Sequence, residues 1–254
     1  MHCPFLSPPK VRYAYLVSLV PLVRTDGKVF ADGDTLTPER MIRDPRLLRS
    51  SKTEVTRETE RVLGLGDSLY FYAGHACPEF GQIVLVYAPE WSSSEPGGAT
   101  PFDTGGLRLG YVKGTGTDDP VSYCKHHRVD LTSWTGEFAA YIETSFSSPS
   151  AYVLGERAQV DDSTGRLLHP ENARRAWTWE LQIQADHELL ANLKLLCVQS
   201  ELSEALRREL RALPDDEAAA WIDLLSSPVF RVAPAGAEAP LVCSMAEEVI
   251  STWL

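Results

Sequence analysis

The sequence predicts an α+β fold: a central, mostly antiparallel sheet with flanking helices and a helical C-terminal appendage. Strand-like runs crowd the middle of the chain, helical spacings gather at its end, and no internal repeat joins the two. Residues 1–200 therefore read as one mixed core domain with a cleft, and 201–254 as a helical unit packing on it.

Residues 11–23 are β-branched and aromatic-rich, interrupted only by Pro21, and read as a strand. Asp26-Gly27 and Asp32-Gly33-Asp34 mark turns. Residues 52–63 read as a short helix ending at Gly64, with Glu54, Arg57, Glu58 and Arg61 at helical spacings. Two strand-like runs follow, 68–75 and 82–88, separated by six residues and so readable as a hairpin. The second run is apolar on both faces, which suits a central strand.

The Gly-, Ser-, Pro- and Thr-rich stretch 90–119 reads as a long loop interrupted at 107–112. Trp134, Phe138, Tyr141 and Ile142 fall at helical spacing, with Thr132 or Ser133 as N-cap. Residues 177–184 alternate strictly. Trp177, Trp179, Leu181 and Ile183 share one face, while Thr178, Glu180, Gln182 and Gln184 share the other. Residues 193–198 read as a further strand. Residues 202–213 and 217–225 read as helices meeting at Pro214-Asp215-Asp216, whose aspartates suit a helix N-terminus. A linker, 233–240, leads to a last helix at 243–253.

The charge narrows the function. With 24 Lys+Arg against 35 Asp+Glu the net charge is −11, which argues against bulk electrostatic binding of nucleic acid or anionic lipid. No apolar run approaches the roughly 20 residues that span a bilayer. The first residues lack a charged leader and a long apolar stretch, so no signal peptide is expected. Five widely spaced cysteines, an odd count, suit a reducing cytoplasm.

Four features could carry chemistry. His75 ends an apolar strand stripe, with Cys77 and Glu79 close behind, as a general base, nucleotide contact or ligand would. A backbone-bonded His75 above a packed Cys77 is the structural alternative. Asp103-Thr104-Gly105-Gly106 resembles the aspartic peptidase signature but lacks its apolar lead-in. There Asp103 can instead anchor a turn, with Gly105 and Gly106 admitting close approach of a ligand. Cys124-Lys125-His126-His127, with His75 and Cys77, offers sulfur and imidazole for zinc, although Cys-x-His is not the usual chelating spacing. Read without a metal, Lys125 to Arg128 is a small basic patch. Glu180, beside Gln182 on one strand face, could stabilise a developing positive charge in a cleft, or simply face water. Two placements follow. His75, Cys77 and Asp103 should border one pocket. Glu180 should lie under the glycine-rich stretch 95–116, paired with Arg108 or with the 125–128 patch.

The order of these features (hairpin, glycine-rich loop, helix, alternating strand bearing Glu180, further strand) resembles the ADP-ribosyltransferase family. The resemblance implies a bacterial-type enzyme that uses NAD as a substrate. It makes Glu180, with Gln182, the late-strand acid that stabilises the charge left as nicotinamide departs. His75, or Tyr15, takes the early nucleotide-contacting place, and Tyr70 and Tyr72 supply an aromatic wall. The predicted site is then Glu180, His75 and Asp103 for catalysis, with Tyr70, Tyr72, Gly105, Gly106, Arg108 and Gln182 around a nucleotide-like ligand. Two other classes stand beside it. One is a non-catalytic module docking a protein through its C-terminal helices. The other is a zinc or Cys/His hydrolase built on His75, Cys77, Cys124 and His126.

Overall fold

A computed structural model describes residues 22–27, 54–75, 81–87, 96–108, 112–113, 119–154, 167–168, 178–184, 193–200, 203–204, 207–208, 211 and 213–253. Tyr15, Cys77, Glu79, Trp177 and most of the first expected strand lie outside them. The fold is α+β. Its strands are β1 (Leu22–Gly27), β2 (Leu69–Ala73), β3 (Gly81–Tyr87), β4 (Gly97–Thr100), β5 (Val112–Lys113), β6 (Leu167–Leu168), β7 (Glu180–Ile183), β8 (Leu193–Val198) and β9 (Phe230–Val232). Its helices are α1 (Glu54–Leu63), α2 (Thr104–Arg108), α3 (Pro120–His127), α4 (Trp134–Ser145), α5 (Pro149–Val153), α6 (Asp215–Ser226) and α7 (Ala239–Trp253).

Seven strands form the main sheet in the order β4-β7-β2-β1-β3-β8-β9, while β5 and β6 pair separately. Every pairing in the main sheet is antiparallel except β8 with β9. β3 is central, as its apolar run requires.

Three expectations are corrected. β2 and β3 do not form a hairpin, because β1 lies between them and pairs with both. A six-residue link permits a hairpin but does not enforce one when a third strand offers more pairing. Asp26-Gly27 is no turn; it ends β1, opposite Ile83 and Gly81, at a register shift. Within the expected loop 90–119, β4 pairs with β7, and α2 and β5 follow.

The helices expected near 52–63, 133–146 and 217–225 form, while half of the expected helix 202–213 lies outside the described residues. α1 stops at Gly64, whose φ of 69° is open to glycine at little cost. Ser133 is the N-cap of α4, and its hydroxyl donates to the Asp130 carbonyl at 3.1 Å. α7 begins four residues before the expected 243.

The sheet has two unlike faces. One buries Phe71, Leu181, Ile183 and Trp179 with α4, α5 and α7, in a core that also takes in Ile83 to Tyr87 of β3 and Leu195 to Val198 of β8. α7 contributes Val242, Cys243, Ala246 and Ile250 to this core, so the C-terminal segment packs on the body and also adds β9 to its sheet. The other face carries a smaller apolar group, Leu63, Leu65, Phe102, Leu107, Tyr123 and Cys124, from the α1–α2–α3 side. No helix among the described residues is long and apolar enough to cross a membrane.

Candidate functional site: a buried acid and amide layer

Alternation along β7 turns Trp179, Leu181 and Ile183 into the main core and Glu180 and Gln182 to the opposite face. Strand register then builds two cross-strand rows. Thr100, Glu180 and Tyr72 form one, while Gly98, Gln182 and Tyr70 form the other. Just after β4 the chain turns into α2, which lies over the first row, and the end of α3 reaches the second.

The bonds within this layer are dense. Glu180 Oε1 accepts from the Thr104 hydroxyl at 2.5 Å, the Thr104 N–H at 3.3 Å and Gln182 Nε2 at 3.1 Å. The Gln182 amide also donates to Thr100 Oγ1 at 3.0 Å, and Gln182 Oε1 accepts from Arg128 Nε at 3.2 Å. Asp103 Oδ1 accepts from the Gly106 N–H at 2.7 Å, capping α2, and Tyr72 donates to its Oδ2 at 3.4 Å. Next to this group Glu60 Oε1 accepts from Tyr70 at 3.2 Å and from the Ser68 N–H at 3.0 Å. Asp103, Thr104, Glu180 and Gln182 are each no more than 2% exposed.

Burial dominates the electrostatics. Desolvation, and after it the charge of Asp103, pushes the Glu180 carboxyl up to about 8. Burial and then the charges of Glu180 and Glu60 carry the Tyr70 phenol far above its ordinary range. The same two causes, burial first and Glu180 second, push the Cys124 thiol up to about 11. At neutral pH Glu180 is therefore mostly a neutral acid able to donate a proton, and Cys124 is a thiol rather than a nucleophilic thiolate. Arg128 Nη2 is buried with no hydrogen-bond partner among the described residues. The guanidinium lies against Gly98, where a Cβ would stand 2.5 Å from Nε.

Of the residues predicted from sequence, the layer unites Glu180, Gln182, Asp103, Tyr70, Tyr72 and Gly106, with Gly105 beside them in α2. Of the cations proposed as partners, Arg128 reaches the layer through Gln182. Arg108, at the end of α2, instead lends its charge to Glu58 on α1.

His75 is elsewhere. Its ring stacks on Tyr152 of α5 with centroids 4.2 Å apart, and Nδ1 lies 3.8 Å from Glu247 of α7. Those helices cover the opposite sheet face from Asp103, so no pocket is shared by the two, because β2 continues its apolar stripe into His75. The same separation divides His75 from Cys124, and Cys77, the other member of the proposed Cys/His set, lies outside the described residues. No group of three or more His, Cys, Asp or Glu among the described residues could hold a metal.

Sequence reading missed Thr100, Thr104 and Glu60. The signal for Thr104 was its place directly after a helix-capping aspartate. Thr100 and Glu60 could be placed only through strand pairing and helix docking. Comparison with protein-family models, with curated proteins and with solved structures finds no match for this chain.

Proposed function

We propose that the chain is a non-catalytic protein-binding module of the cytoplasm, whose sheet is locked on one face by the Glu180 layer. The observation that carries this reading is closure. Asp103, Thr104, Glu180 and Gln182 are almost fully buried, and their polar atoms are held largely by one another. A substrate could reach Glu180 only if α2 left the sheet. That would break the Thr104 bonds and strand buried polar groups, at about 1–3 kcal/mol for each group left unsatisfied. The layer does what a structural network does: it makes a polar sheet face compatible with a second apolar cap of Leu63, Leu65, Phe102 and Leu107. The cytoplasmic placement is supported by Cys124 and Cys197, which are buried free thiols.

A second reading is favoured by one observation. Four of the residues that the ADP-ribosyltransferase resemblance singles out (Glu180, Gln182, Tyr70 and Tyr72) sit together, with Asp103, on one sheet face, while His75 lies on the other and Tyr15 outside the described residues. Under it, α2 is displaced by a nucleotide-like substrate, NAD, and the acid stabilises the departing nicotinamide's positive counterpart. One experiment separates the two. Purified protein is incubated with millimolar NAD, nicotinamide release is followed, and the melting temperature is recorded with and without NAD. The module reading expects release at the blank rate and no thermal shift. Release that disappears in Glu180→Gln would overturn it in favour of the transferase.

A further inference from the structure

The unit formed by α6, β9 and α7 is acidic. Residues 213–254 contain seven acids (Asp215, Asp216, Glu217, Asp223, Glu238, Glu247, Glu248) and one base, Arg231, a net of −6. Asp215, Asp223, Glu238 and Glu248 are exposed, while Glu247 is buried beside His75. The whole chain carries −11, so a sixth of its length holds more than half of its net charge. The same unit holds three of the four large apolar side chains exposed among the described residues: Ile222 at 52%, Leu241 at 45% and Val232 at 38%. On α6 the two properties coincide. Ala218 and Leu225 face inward, while Asp215, Ala219, Ile222, Asp223 and Ser226 form the outer stripe at helical spacing.

A single exposed apolar residue is ordinary on its own, but Ile222 shares the outer stripe of α6 with the exposed acids Asp215 and Asp223. A second copy of this chain would bring like charge against like charge, which costs affinity. A cationic surface with an apolar anchor meets both features at once: the anchor covers Ile222 while Lys or Arg side chains pair with Asp215 and Asp223. We infer that the outer face of α6 is the docking surface, and that its partner is a cationic protein segment with an apolar stripe. This rests on the binding-module reading and names the partner's chemistry.

The test uses the full chain and a labelled synthetic helical peptide of Lys and Leu, its Leu residues on one face. Fluorescence anisotropy reads binding, and amide hydrogen exchange reads its location. The Lys/Leu peptide should bind, slow exchange in α6, and weaken by about tenfold or more when salt rises past the screening range. Ile222→Asp should weaken it by at least roughly tenfold, as loss of a buried anchor does. Leu154→Asp, an equally exposed apolar site on another element, should leave binding unchanged.

Several outcomes would overturn the inference: equal affinity for Ile222→Asp, equal binding of a Lys/Ser peptide without apolar residues, protection confined to other elements, or an Ile222-dependent dimer in sedimentation. Melting curves of both variants confirm that each is folded. The nicotinamide assay stays separate, so a failed docking surface in a protein that does not turn over NAD refutes this inference alone.

Discussion

Glu180→Gln tests the buried layer through its pH dependence. In the folded chain the Glu180 carboxyl is held at about 8, against an ordinary 4.5, by burial and by the charge of Asp103. A folded value above the unfolded one means that the native state holds this proton more tightly. Its stabilising contribution is whole below about pH 4.5 and is lost as pH rises towards 8. At about 1.4 kcal/mol per pH unit, the full interval corresponds to on the order of 5 kcal/mol, and the part between about pH 6 and 8 to on the order of 2–3 kcal/mol. The amide that replaces the carboxyl in Glu180→Gln would keep an oxygen for Thr104 and Gln182 but has no such proton to lose. Urea unfolding at a series of pH values should therefore show wild-type stability falling across this interval relative to the variant. The two should be close at the acid end, and the variant ahead by a few kcal/mol at the alkaline end. In melting temperature that is roughly 5–10 °C for a chain of this size. Groups that titrate alike in both proteins cancel in the difference. Parallel pH profiles would show that Glu180 is not held as a neutral acid.

Other substitutions probe separate contacts. Gly98→Ala should push the Arg128 guanidinium off Gln182 and cost about 1 kcal/mol in urea unfolding, the worth of one hydrogen bond. In an Arg128→Ala background the same change should cost nothing, and an equal cost in both would refute the contact. Cys124 and Cys197, whose thiols burial pushes up to about 11 and about 12, should resist iodoacetamide at neutral pH until the chain is denatured, read by mass spectrometry. Ile250→Ala, in the α7 seam, should cost about 2–5 kcal/mol, which would show that α7 belongs to the core rather than hanging from it.

The parts of the fold legible in the sequence are those whose signal is local. Strict alternation around Glu180 placed Trp179, Leu181 and Ile183 on one face before any pairing was known, and the unbroken apolar run of β3 placed it inside the sheet. What was not legible depends on distant partners. β1 enters between β2 and β3 because it pairs with both, and nothing in a six-residue link forbids or announces that. β4, written Gly-Gly-Ala-Thr, has the composition of a loop. It is a strand because β7 offers it a ladder and because Gly98 leaves room for Arg128.

The candidate site shows the same division, and it leads to the functional argument. Alternation told which way Glu180 and Gln182 point but not what they meet. The cap that closes over them comes from Leu63, Leu65, Phe102, Leu107, Tyr123 and Cys124, scattered over three segments with no shared period. Once that cap is in place, Glu180, Gln182, Thr104 and Asp103 bond inward and can offer little to a ligand without unfolding α2. On the binding-module proposal, recognition uses side chains that still face outward. His75 is buried beneath α5 and α7, whereas the outer stripe of α6 carries the exposed Ile222 with Asp215 and Asp223. The acid buried in the closed layer is satisfied within the molecule by Thr104 and Gln182. Ile222, by contrast, stays exposed beside Asp223, and the proposed docking rests on that combination of an apolar side chain with acids rather than on exposure alone.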